Sequence, residues 1–197
     1  FQQFFPAGGW IYIDAEELRD WSLRNRFNSV WTGGETLKWG ADRGHGWEQK
    51  SGHSWNAVVA PYSKYFQEHP EWYPLVRGRR MPRSDVSIRL PNQLCVSNQS
   101  LRDHTVNQIV QYFRDNPRSR IFPMNPMDGP NYNCECDHCR ALDPPGFEWN
   151  QDFSDFPRFP NLKLPPLSDR YLNFVNHVAD RVAKVFPDRL LEFYNYA

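Results

Sequence analysis

The chain has 197 residues, 40% hydrophobic and 23% charged, which suits one globular core and not a disordered or collagen-like protein. Lysine plus arginine and aspartate plus glutamate balance at 23 each, so no bulk field gathers phosphates and nucleic acid is not an expected partner. No run of about 18 apolar residues is present to span a bilayer as a helix.

Aromatic residues reach 16% of the chain, more than a core of this size needs. Some are expected to line a cleft, where sugar rings stack on aromatic faces; the same rings can equally fill the core. Phe1 is not an initiator Met, no basic, apolar, then small-residue leader follows it, and Ala197 falls inside an apolar run. Both ends therefore read as cut, and the expectation is a single incomplete domain over 1–197.

In chain order, Asp14 and Glu17 form a capping-box pattern that opens a helix to about Arg26, followed by an apolar run from Phe27 to Trp31 that reads as a strand. A long connection, Thr32 to Asn92, carries His53 and Trp55, candidates for contacting sugar hydroxyls and sugar faces; a lone loop histidine is also a common structural hydrogen bonder. Gln93 to Ser97 reads as the next strand. Ser100 with Asp103 then opens a second helix, with Val106, Ile109, Val110 and Phe113 at helical spacing. Arg120 to Met124 reads as a strand after Asn116-Pro117. A third helix begins near Ser168 and buries Tyr171, Phe174, Val175, Val178 and Val182, and a strand over Leu190 to Tyr194 follows Phe186-Pro187.

Strand, helix, strand alternation predicts an α/β fold with parallel strands. An eight-fold (β/α)8 barrel and an open doubly wound sheet both satisfy it, and no GxGxxG follows any strand to favour a dinucleotide site. The loops after strands are long and those after helices short. In a parallel barrel that asymmetry marks the active face, so a partial (β/α)8 barrel is the expected architecture. The segment 140–167 is rich in Pro and aromatics, including Pro144, Pro145, Phe147, Trp149, Phe153, Phe156 and Phe159. It reads as an aromatic lid or as an insertion packed on the rim.

Cys134, Cys136 and Cys139 stand within six positions as CECDHC. A CxxC turn places two thiolates on one ion and the flanking CxC adds a third, with Cys95 or His138 as the fourth ligand of a structural zinc site. A disulfide and buried free thiols are the alternatives. Asp128, in Asn125-Pro126-Met127-Asp128-Gly129, leaves a strand at its C-terminal end, where a barrel enzyme keeps its acid; an Asp-Gly turn is the plainer reading. Glycosidic cleavage uses two carboxyl groups, and Glu35, Glu135, Asp137 and Glu192 are candidate partners for Asp128.

Several motifs occur in order: Phe66-Gln67-Glu68-His69-Pro70-Glu71-Trp72-Tyr73, Gly78-Arg79-Arg80, Gln93-Leu94-Cys95-Val96-Ser97-Asn98, Asp128-Gly129 with the cysteine cluster, and Tyr171-Leu172-Asn173-Phe174-Val175-Asn176. Together they resemble the domain of unknown function 4838, whose characterised members are placed in glycoside hydrolase family 163. The resemblance implies a barrel and an endo-β-N-acetylglucosaminidase acting on glycans, with the substrate's acetamido group as nucleophile and no cofactor required for catalysis. It also implies a secreted or periplasmic setting. Met127 stands where the family often has a polar residue. Asp128 is then the candidate catalytic group, and His53, Trp55, Asn98, Asn125 and Tyr196 are candidate substrate contacts. A non-catalytic carbohydrate-binding module and a structural zinc-bearing domain are the competing functions.

Overall fold

The computed structural model describes residues 53–80, 93–127, 132–151, 163–164 and 166–194. The expected first helix and first strand, Glu35, Asp128, Tyr196, Phe153, Phe156 and Phe159 lie outside the described residues.

Two long helices pack against each other, α2 (Gln99–Asp115) and α4 (Ser168–Ala183). Their apolar residues recur every three or four positions, so each has one stripe to bury. Leu101, Val106, Ile109, Val110 and Phe113 from α2 share the core with Tyr171, Phe174, Val175, Val178 and Val182 from α4. The N-cap of α2 lies two residues before the predicted one. Asn98 is its N-cap, its Oδ1 accepting the Leu101 N–H at 2.9 Å, and Ser100 Oγ donates to the same oxygen.

Strand β3 (Ile121–Pro123) pairs in parallel with β4 (Leu190–Glu192), with Ile121 opposite Leu190 and Pro123 opposite Glu192. The sheet continues on the other side of β3, where His53 forms a parallel bridge with Asn125. Three chain segments thus run side by side in one direction, with α4 preceding β4.

A small antiparallel hairpin joins β1 (Leu75–Val76) to β2 (Arg79–Arg80). Its two-residue turn, Arg77 at φ 49° and Gly78 at φ 77°, has both central residues left-handed, as a tight hairpin matched to strand twist requires. The short helices are α1 (Tyr62–Tyr65) and α3 (Asp137–Arg140).

The expected strand Gln93 to Ser97 is different in the structure. Leu94, Cys95 and Val96 are buried, but Cys95 N–H donates to Trp72 O at 2.8 Å and Asn98 N–H donates to Cys95 O at 2.9 Å. The run closes in a turn because Asn98, three residues on, must already cap α2. Apolar content signals burial here, not strand pairing.

Candidate metal centre

Four cysteines converge from three parts of the chain. Cys95 comes from the turn before α2, Cys134 from the segment beside β1, Cys136 caps α3, and Cys139 lies within α3. Their sulfurs all lie within 4.8 Å of one another. From Cys95 Sγ the separations are 3.4 Å to Cys134, 3.7 Å to Cys136 and 3.9 Å to Cys139. All four thiols are unbridged. A disulfide would need sulfurs at about 2.05 Å. Four sulfurs around a zinc ion at about 2.3 Å would stand about 3.8 Å apart, and the observed spacings bracket that value. The cluster fits a metal ion, with Cys95 as the fourth sulfur of the group. His138 is exposed and does not belong to the group. Its neighbours Asp137 and Cys139 explain why: one turn of helix that points Cys139 inward turns residue 138 outward.

Polar groups surround the sulfurs. Leu75 N–H donates to Cys134 Sγ at 3.3 Å, and Arg80 Nη1 approaches the same sulfur at 3.8 Å while donating to Tyr73 O at 2.7 Å. Ser97 Oγ lies 3.1 Å from Cys139 Sγ and 3.6 Å from Cys136 Sγ. The hydrogen bond from Cys134 brings the Cys95 thiol down to about 6, and Cys136 is lowered by bonds from Cys134, Cys139 and Cys95. Cys134 and Cys139 are pushed up, chiefly by Cys136 and Cys134 respectively. Four sulfurs this close ionise together only if a cation compensates them.

A buried ion pair braces the loop behind the cluster. Arg170, from the first turn of α4, has a side chain 1% exposed and Asp143 one 4% exposed. Arg170 Nε donates to Asp143 Oδ1 at 2.6 Å, Nη2 bonds Asp143 Oδ2, and Nη1 donates to Cys134 O at 2.9 Å. Burial acts to lower the pKa of Arg170; the bond to Asp143, together with the charges of Cys139 and Asp143, outweighs it and holds the guanidinium charged. The Arg170 guanidinium also lies over the Trp149 ring at 4.9 Å. Sequence reading missed this pair and also Arg80, although Arg80 belongs to the Gly78-Arg79-Arg80 motif.

The other sequence-derived site residues divide between core and sheet end. Trp55 is fully buried, its Nε1 donates to Met124 O at 3.0 Å, and its ring meets Tyr171 and Phe174 edge-on. The expected sugar-stacking face is therefore occupied by the core. Asn125 is fully buried as well. Its O accepts from Ser54 and Trp55 N–H, and its Oδ1 accepts the Tyr194 N–H at 2.7 Å, so it stitches the three parallel segments together. Asn98 is engaged in the α2 cap. His53 stays partly exposed, with Nδ1 2.6 Å from Pro126 O and its ring edge-on to Tyr194 at 6.1 Å. Of the candidate partner carboxylates, Glu135 accepts from Arg77 N–H and Gln151 Nε2, Asp137 lies exposed in α3, and Glu192 ends β4. A cavity of about 320 Å³ beside the hairpin is lined by Val76, Arg77, Arg79 and Tyr132.

The base of the 140–167 segment is pinched by an antiparallel bridge between Asn150 and Lys163. Trp149 packs against the core rather than standing out, whereas Phe147 is exposed.

The family described as Domain of unknown function (DUF4838) matches residues 11–197. The chain belongs to this family. No curated protein and no solved structure matches the chain. No described helix of this DUF4838 domain is long and apolar enough to cross a membrane.

Proposed function

We propose that this DUF4838 domain is part of the catalytic (β/α)8 barrel of a glycoside hydrolase cleaving β-N-acetylglucosaminide linkages in glycans, with the four thiolates holding a structural zinc ion. The observation that carries the reading is the parallel run of the His53 segment, β3 and β4. Active residues of such barrels sit on the loops that leave strand C-termini, and Asp128 follows β3 by five residues in sequence. His53 and Tyr194 belong to the same end of the neighbouring segments. Tyr132 and the guanidiniums of Arg77 and Arg79 offer a ring face and donors to a sugar.

In this reading Asp128 acts on the scissile linkage, and the substrate's acetamido group supplies the nucleophile, as the resemblance to glycoside hydrolase family 163 implies. A cluster of four sulfur ligands leaves no open position, so the metal is structural and the hydrolysis does not pass through it. Soft thiolates together with tetrahedral spacing favour zinc over harder divalent ions.

The test is hydrolysis of an aryl N-acetyl-β-glucosaminide and of a complex N-glycan by the full-length protein. Asp128→Asn keeps the shape and removes the titrating group, so turnover should fall by about a hundredfold or more. Glycan binding without turnover in the unaltered protein would replace this reading with a carbohydrate-binding module.

A further inference from the structure

We infer that Gln93 and Gln151 are positioning residues that fix where the chain enters and leaves the Asp128 segment, an inference that rests on assigning Asp128 to the chemistry. Gln93 is 5% exposed and Gln151 2% exposed. An amide is buried that deeply only when both its donor and its acceptor are bonded. Gln93 Nε2 donates to Met127 O at 2.9 Å, and its Oε1 accepts the Met127 N–H at 3.0 Å. Gln151 repeats the arrangement on Asn133: its Oε1 accepts the Asn133 N–H at 2.6 Å and its Nε2 donates to Asn133 O at 2.8 Å.

Each side chain makes with one residue the reciprocal pair that a neighbouring strand would otherwise make. Met127 is peptide-bonded to Asp128, and Asn133 to Cys134. The two glutamines therefore bracket the segment that carries the proposed acid, one against the turn before α2 and the other against the metal centre. Gln93 also holds the far side, its own N–H donating to Tyr132 O at 3.2 Å. Gln151 Nε2 reaches Glu135 Oε1 at 2.9 Å, between two of the cysteines.

A carboxyl group assists bond cleavage only within hydrogen-bond reach of the oxygen it serves, and a displacement of about 1 Å costs about a hundredfold in rate. Gln93→Leu keeps most of the volume and removes both bonds to Met127. In the full-length protein with an aryl N-acetyl-β-glucosaminide, kcat should fall at least about tenfold while KM stays within about twofold. Gln93→Glu adds a pH readout. Its carboxylate cannot donate to Met127 O, whereas the protonated acid can, so its kcat relative to the unaltered protein should rise as pH falls.

A kcat for Gln93→Leu within twofold of the unaltered protein, in a variant that melts cooperatively, overturns the inference while leaving Asp128 in place. Should Gln93→Leu fail to fold, the Gln93→Glu ratio at two pH values decides instead, and a pH-independent ratio overturns it. If Asp128→Asn turns over normally in the same assay, the assignment of Asp128 fails and the inference falls with it.

Discussion

Cys95 Sγ and Cys134 Sγ stand 3.4 Å apart although 39 residues separate them in the chain. That approach draws the turn before α2 onto the segment that carries Cys134, and it makes Cys95 the fourth member of a cluster whose other three stand within six positions of sequence. Cys95→Ser should therefore weaken metal binding by at least about a hundredfold, since each thiolate carries a share of a binding free energy of about 10–16 kcal/mol. His138→Gln should leave the metal content unchanged. Competition with a chromophoric chelator measures both.

Arg80 approaches Cys134 Sγ and bonds Tyr73 O from outside the ligand set. Its replacement in Arg80→Met should lower metal affinity by about 10- to 100-fold without abolishing binding, the usual consequence of removing a group that orients a ligand. The same chelator titration checks it, and an affinity equal to that of the unaltered protein would show that Arg80 does not act on the cluster.

The Arg170 and Asp143 side chains are nearly fully buried together. Asp143→Ala strands a charged guanidinium and should destabilise the fold by about 3–5 kcal/mol, whereas replacing both partners with apolar residues should cost much less. Urea unfolding of the single and double variants separates the two outcomes.

His104 Nε2 lies 3.0 Å from Val59 O, and the ring packs against Tyr65 and Trp72. Burial lowers its pKa, and the charges of His69 and Lys64 act in the same direction; the bond to Val59 opposes them. Below its ordinary value of about 6.5 the unfolded chain takes up this proton before the folded one does. The stabilising contribution is thus fully present above about pH 6.5 and is lost as pH falls toward the depressed folded value. His104→Gln should flatten that acid-side decline in melting temperature relative to the unaltered protein.

Much of this architecture could be read from residue order. The stripes ending in Phe113 and Val182 and the prolines at 117 and 187 located both long helices and the strands that follow them, because periodicity and a missing N–H act locally. Gln93 to Ser97 misled for the opposite reason: a buried turn and a strand share the same apolar composition, and only the contact of Cys95 with Trp72 O separates them. In the site, the CxCxxC spacing announced three ligands. The choice of Cys95 over His138 depended on a contact between distant segments that no spacing encodes. Trp55 looked like a sugar platform in a loop, but Met124 O satisfies its indole N–H and frees the ring to enter the core. The two glutamine clamps were invisible, since a buried amide has no sequence signature until the backbone it serves is placed.

X-ray absorption at the metal edge of the purified full-length protein addresses the central claim most directly. The account predicts about one zinc per chain, with four sulfur neighbours at about 2.3 Å and no nitrogen or oxygen in the first coordination sphere. A metal-free protein with a disulfide among Cys95, Cys134, Cys136 and Cys139, or a zinc ion with a histidine ligand, would contradict it.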